Sequence, residues 1–437
     1  MNNLDQIRMK LGFAPNESAV SLGRGHGFPW RKEWLTESQL NHHVHIVGAS
    51  GFGKTVLLSH IVQDRIAKGN GLLFVDLKGD RETIEQFTGF VRDAGRMQDL
   101  KVLSLSEHEA STGYNLLSRA TANQLRDKVM KSFEWSEEFY KNQASGFLLK
   151  VLTGLCWLRD NKSQEFGLHE LHACVDKPKA IQKLLLEIPV DSGRARVMME
   201  EAFKFLSSTD DAKSISGLRV QLESILYSDF GDRFTNLENT LDLFETVRSG
   251  KIVFIFLDSR RYGETAKVIG RFIIEDLKAV SAKIDVEISK SDRKPFTVII
   301  DEFSDLAGDD FISFLDRARS SRIGIVLAHQ EISDLDRISP EFCGRLMGNT
   351  ATMFAFLQKR PQSAELISGI GGTRTVKKKT AQYESKFFIP VPTGVESVRE
   401  TDEFIVHPNV IKSLRVGECV RFGRYPVSVA GRIRIRA

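Results

Sequence analysis

The sequence has no apolar run of the roughly 18 to 20 residues needed to cross a bilayer. Its longest candidate, GFLLKVLTGLCWL at 146–158, is too short and carries Lys150. The opening stretch MNNLDQIRMK lacks the apolar segment of a secretory signal. Cysteine is scarce: Cys156, Cys174, Cys343 and Cys419 stand far apart with no CxxC pair. That gives neither a zinc-site spacing nor a disulfide framework, and suits a reducing compartment. A dominant charge is missing too, since 61 basic against 57 acidic residues leave +4. So small an excess indicates no nucleic-acid partner by itself, although a local basic patch fits inside it. No internal repeat of fixed period and no long low-complexity tract occurs. The expectation is a soluble, cytosolic chain.

What is present is ordinary globular material: 437 residues, 41% hydrophobic and 27% charged, enough for two or three domains and too apolar for a largely disordered chain. HVHIVG at 43–48 reads as a short buried strand, followed by a glycine-rich turn and a helix from about Lys54 to Ala67. Leu57, Leu58, Ile61, Val62 and Ile66 form that helix's apolar stripe, and GNG at 69–71 stops it. Apolar, β-branched runs recur at 71–76, 101–105, 251–257, 296–300, 323–328, 350–357 and 417–422. Several are unbroken, as in strands covered on both faces of a parallel sheet. Between about 118 and 216 the strand signal gives way to helical periodicity. The fold class expected is α/β: a discontinuous domain, 1–117 with 217–437, carrying an inserted all-α domain at 118–216. The segment 369–387, polar, glycine-rich and basic, reads as a loop, either merely solvated or touching nucleic acid.

Residues 48–55, GASGFGKT, match G-x-x-x-x-G-K-[ST] between a strand and a helix. Gly48, Ala49, Ser50, Gly51, Phe52, Gly53, Lys54 and Thr55 are therefore the candidate phosphate-binding residues. Glycines let backbone N–H groups turn inward and the helix start adds its positive dipole end. Lys54 then reaches the β/γ-phosphates and Thr55 ligates Mg2+. TVIIDE at 297–302 is a buried strand ending in two acids. Asp301 suits a Mg2+ ligand and Glu302 a general base, because successive strand-end side chains point differently. IGIVLAHQ at 323–330 places Gln330 at another strand tip, where it either senses the γ-phosphate or merely ends the strand. RARSSR at 317–322 offers arginines, on a helix with Phe311, Phe314 and Leu315 on its apolar side, for a charge-neutralising finger or a solvated face. Asp76 and Lys78 end the second strand, with a structural bridge weighed above a nucleotide contact. His42, His43 and His45 have no acid or cysteine beside them, which argues against zinc.

Together these segments resemble the TraD/TraG-type coupling proteins of conjugation and type IV secretion, ring-forming ATPases related to the HerA and FtsK translocases. The resemblance rests on LGRGHGFPW (22–30), HIVGASGFGKT (45–55), VDLKGD (75–80), YNLL (114–117), VIIDEFSDL (298–306), RARSSRIGIVLAHQ (317–330) and SVRETDEFIVHPNVIKSLRVGECV (397–420). It implies a RecA-like P-loop nucleotide-binding domain with a central, mainly parallel sheet, working with ATP and Mg2+ in a homohexamer. Lys54 and Thr55 would bind nucleotide and Mg2+, and Asp301 and Glu302 would be the Walker B pair. Gln330 would be the sensor and Arg319 the finger supplied in trans. The implied partners are DNA held without sequence preference, a relaxase or relaxosome, and secretion-channel components, at the cytoplasmic face of the inner membrane. Lys377, Lys378 and Lys379 are candidate DNA contacts. Family members usually begin with two transmembrane helices. This sequence starts directly at what resembles the cytoplasmic domain, so the anchor is expected to be removed, supplied by another protein, or lacking in a soluble branch. Phe52 departs from the small residues common in the loop. Two other functions fit the motifs: an ATP-dependent substrate receptor without translocation, and a HerA-like DNA-processing motor.

Overall fold

The computed structural model describes residues 14–15, 18–25, 28–106, 111–235, 237, 240–308, 310–339, 341–386, 389–426 and 428–435. The chain's opening residues, and His26 and Gly27 of the first familiar stretch, lie outside that set. Thirteen described strands follow one another: β1 Ala19–Gly25, β2 Phe28–Thr36, β3 Val44–Val47, β4 Gly71–Asp76, β5 Leu100–Ser104, β6 Ile252–Phe256, β7 Phe296–Asp301, β8 Ile323–His329, β9 Thr352–Ala355, β10 Thr373–Lys386, β11 Ile389–Phe404, β12 Glu418–Gly423 and β13 Val429–Ile435. The chain divides into two compact units, one of Met1–Asp64, Ala307–Leu315 and Gly324–Ala437, the other of Arg65–Leu306 and Asp316–Ile323.

In the first unit the strands hydrogen bond in the order β2-β1-β13-β12-β9-β3-β8. β3 runs parallel to both β8 and β9, and the strands beyond β9 are antiparallel. In the second unit β7-β4-β6-β5 are all parallel, with Asp76 level with Asp301. Every residue of β3, β4, β6, β7, β8 and β9 is buried, which is why these segments read as unbroken apolar runs. Parallel strands need a long connection rather than a tight turn, and in the second unit the helix Arg81–Asp93 carries the chain from β4 towards β5. Leu57, Leu58, Ile61, Val62 and Ile66 are all buried as the periodicity required.

The described residues between β5 and β6 are free of strand. Their helices run from Ala122–Ser132 through the long Glu138–Lys162 to Leu243–Ser249, past the residue-216 limit read from sequence. Glu138–Lys162 packs so closely on Arg194–Ser207 that a Cβ on Gly154 would stand 2.2 Å from Met199 Cγ. The Tyr114 hydroxyl and the Lys128 ammonium both bond the Asp276 carboxylate on the helix Ser259–Glu287. Burial raises the Asp276 pKa, and Lys128 and Tyr114 oppose that rise.

One expectation fails. The described part of the segment 369–387, residues 369–386, is no loop: after the helix Pro361–Gly371 it becomes β10, paired antiparallel with β11. The glycines end at the helix, and side chains pair across the first residues of the ribbon, with Lys377 against Glu400 at 3.3 Å, Lys378 against Glu403 at 2.7 Å and Thr375 against Asp402 at 2.9 Å. Cross-strand pairs of opposite charge stabilise such a ribbon. The side chain of Lys379 lies outside the described ones.

Candidate functional site: a phosphate loop and an acidic strand end

The loop after β3 is shaped by backbone requirements that explain its glycines. Gly51 and Gly53 have φ of 80° and 111°, where an L side chain is strained. A Cβ on Gly48 would sit 2.4 Å from Phe356 Cβ. Backbone bonds then fix the turn: Gly48 N–H donates to His329 O at 3.2 Å, Ala49 N–H to Leu357 O at 3.0 Å, and Gly417 N–H to Phe52 O at 3.0 Å. Phe52, the unusual residue, is half-buried.

Lys54 opens the helix and is 5% exposed. Its ammonium folds back to donate to Gly48 O at 2.5 Å and Ala49 O at 3.3 Å. A buried ammonium satisfied by carbonyls of its own loop is a charge held where an anion would sit. Ser50 and Thr55 are exposed, with the Thr55 hydroxyl in the helix's first turn.

Beneath the loop, sequence reasoning missed a contact. The rings of His45 on β3 and His329 on β8 meet Nε2 to Nε2 at 2.6 Å, both fully buried. His329 Nδ1 lies 2.9 Å from Glu331 O and can only donate there, so its Nε2 accepts and His45 Nε2 donates. Burial keeps both rings neutral. It brings the His329 pKa down to about 4, against the Glu331 bond and with help from the Lys54 charge, and puts His45 well below its usual value. The neighbouring histidines are equally engaged. His43 Nε2 lies 2.7 Å from Leu315 O while its Nδ1 accepts Ile325 N–H, and His42 Nδ1 lies 2.6 Å from Ser38 O.

Gln330 follows His329 and is exposed. Its carbonyl accepts from Nε2 of buried Gln358 at 3.0 Å, and Gln358 Oε1 accepts Ile332 N–H at 3.4 Å. Gln358 thus fixes the backbone on both sides of the strand tip. Nothing in its polar neighbourhood, LQKR, marked it beforehand.

The second unit holds the acids. Asp76 and Asp301 end adjacent parallel strands and are 2% and 5% exposed. The Asp76 carboxylate accepts the N–H groups of Lys78 at 2.9 Å and Asp80 at 3.2 Å, folding LKGD into a turn. Burial, with the Asp301 charge, pushes the Asp76 pKa up to about 6 despite those bonds. Lys78 leaves the turn to bridge Asp301 Oδ2 at 3.2 Å and Glu302 Oε1 at 2.7 Å. Burial opposes the Lys78 charge, but the two acids outweigh it and raise its pKa. Burial also raises the Asp301 pKa, opposed by Lys78. Strand alternation led us to expect the two acids to diverge. They converge on one ammonium because the strand stops at Asp301 and Glu302 turns into the left-handed region, φ 55° and ψ 42°, a conformation costing a non-glycine residue on the order of 1 kcal/mol.

The arginines lie on the helix Phe311–Ser320, whose Phe311, Phe314 and Leu315 are buried as expected. Arg317 and Arg319 are exposed, whereas Arg322 Nη1 donates to Arg293 O at 3.0 Å and so serves packing. Among the described residues no cluster of three His, Cys, Asp or Glu could hold a metal ion, and no helix is long and apolar enough to cross a membrane. Asp301 and Thr55 each present a hard oxygen, the donor type that Mg2+ takes from protein.

A phosphate loop on a parallel strand, and an acidic strand end in a second parallel set, define a P-loop fold of the RecA-like class. Solved structures share it. The bacterial conjugative coupling protein TrwB, in its unbound form, superposes with a TM-score of 0.68 at 15% identity over 99% of this chain and 91% of that one. VirB4 of Thermoanaerobacter pseudethanolicus gives 0.59 at 12% identity over 96% and 97%. The particular resemblance read from the motifs, to TraD/TraG-type coupling proteins, is borne out. Residues 295–415 match the family described as the TraM recognition site of TraD and TraG. The type 4 coupling protein DotL of Legionella pneumophila is 20% identical over 369 residues, 72% of this chain and 47% of DotL. The chain spans about half the length of the curated relatives it matches, 47% and 53%.

Proposed function

We propose that this chain is an ATP-hydrolysing DNA motor of the coupling type, which recruits DNA and attached protein and drives them into a type IV secretion channel. The observation that carries the reading is Lys54, buried at the start of its helix with its ammonium turned onto the loop carbonyls. TrwB, with which the fold is shared, has been solved with the ATP analogue ADPNP and with ADP and Mg2+, which supports ATP and Mg2+ as the ligands here.

In this reading the backbone of residues 48–55 binds the phosphates, and Lys54 exchanges its carbonyl partners for them. Thr55 and Asp301 would hold Mg2+, which would supply positive charge to offset that of the phosphates. Glu302 takes a proton from the attacking water and Gln330 orients it. Arg319, exposed on its helix, reaches a neighbouring subunit of a homohexamer, so that hydrolysis depends on assembly. Residues 118–216 act as a separate helical domain. The family match to a TraM recognition site supports relaxosome proteins as partners, and the protein would act at the cytoplasmic face of the inner membrane.

A receptor without translocation is the second reading, favoured by one observation. Lys377 and Lys378, two of the candidate DNA contacts, are neutralised by Glu400 and Glu403. ATPase activity measured against protein concentration, with and without single- and double-stranded DNA, separates the two. A motor gains turnover with both concentration and DNA at low salt, and turnover indifferent to DNA supports the receptor.

A further inference from the structure

Lys78 has a place that nothing in the proposed mechanism uses. Its ammonium sits between Asp301 Oδ2 and Glu302 Oε1, at 3.2 and 2.7 Å, with its side chain 22% exposed and theirs 7% and 12%. The two carboxylates are the ones that the functional reading gives to the cation and to the water. One cation therefore already spans both. It is held there by geometry: Asp76 builds the turn that carries Lys78, and Gly79, at φ 67°, lets that turn close against Asp258, whose Cβ would be 2.6 Å from a Cβ on residue 79. Strand β4 ends before the turn, so Lys78 extends from a loop and keeps an outlet to solvent.

We propose that Lys78 is a positioning residue that stands in for the divalent cation: it pairs Asp301 with Glu302 when no cation is bound, and gives up Asp301 when one is. The inference rests on the reading of Asp301 as a cation ligand. Two buried carboxylates side by side repel each other, and a single ammonium offsets that repulsion without phosphate. A divalent ion with nucleotide oxygens does so more strongly, and Lys78 then retreats to Glu302 or to water. While Lys78 holds both acids, Glu302 is ion-paired and does not serve as a base, so the site stays idle until the cation arrives. The same pairing makes Lys78 a competitor that weakens cation binding.

The test is Mn2+ binding to the 437-residue chain saturated with ADP, read from the electron paramagnetic resonance signal of free Mn2+, which needs no turnover. Removing the competing charge in Lys78→Met or Lys78→Gln should tighten Mn2+ binding about tenfold, and Lys78→Arg, which keeps the charge, should stay within about twofold of the parent. Asp301→Asn should weaken it. Unchanged or weaker binding in both uncharged variants, beside a weakened Asp301→Asn, overturns the role of Lys78 alone. So does a tenfold change in Lys78→Arg, which remains decisive should the uncharged variants fail to fold. If Asp301→Asn binds Mn2+ as the parent does, the cation assignment itself falls and takes this proposal with it.

Discussion

The phosphate loop and the acidic strand end solve the same problem, keeping charge ready in a buried place, by different means. In the loop a single ammonium is satisfied by backbone carbonyls a few residues away. At the strand end two carboxylates are satisfied by a side chain more than 220 residues distant in sequence, and one of them sits on a left-handed backbone. A site built from local backbone tolerates being empty. A site built from paired side chains depends on every member, and the shifted groups there are Asp76, Asp301 and Lys78.

The largest expected effect attacks the loop. Lys54→Ala should fold and lose hydrolysis by about 100-fold or more, since a donor aimed at transition-state charge is removed. Phosphate release measured on the folded variant checks this, and parental turnover would refute the loop's assignment. Next comes the arginine. Arg319→Ala should bind ATP yet hydrolyse poorly, and mixing it with Glu302→Gln should restore part of the turnover if the arginine acts across a subunit boundary. No recovery in verified mixed rings would make it a residue of its own subunit.

A smaller effect separates the two regions by pH. The folded pKa of His329 lies near 4, below the 6.5 of the free ring. Its contribution to stability is therefore complete above pH 6.5 and lost as pH falls through about 4. Asp76 runs the other way: its folded pKa near 6 exceeds 3.8, so its contribution is complete below 3.8 and lost as pH rises through about 6. Each is worth on the order of 1 to 3 kcal/mol. Melting temperatures across pH 4 to 6.5 should fall less on acidification in His329→Gln than in the parent, and more in Asp76→Asn. Parallel curves in all three would contradict the sign of both shifts. The smallest effect belongs to the hairpin. Lys377→Ala with Lys378→Ala should cost stability by at most about 1 kcal/mol, because exposed pairs contribute little, and a matching loss of DNA binding would show that they also grip DNA.

The parallel strands and the helix Lys54–Ala67 were legible because burial on both faces leaves an unbroken apolar run, and because the glycine loop needs particular residues at fixed spacing. β10 and β11 were not, since a polar, basic run such as TRTVKKKTAQ lacks the apolar pattern that marks a strand. The strand end was legible in part. Asp301 and Glu302 could be picked out as a pair, but their meeting at Lys78 depends on strand adjacency and on the φ of Glu302. The His45–His329 contact was hidden because each residue alone reads as an ordinary polar interruption of a strand.

The central claim is that residues 48–55 receive a triphosphate. A crystal grown with a nonhydrolysable ATP analogue and Mg2+ tests it in one observation. The account predicts phosphate density within hydrogen-bond reach of the loop N–H groups, with the Lys54 ammonium moved off the carbonyls of Gly48 and Ala49 and onto it. An analogue bound elsewhere, with Lys54 still on those carbonyls, would contradict it.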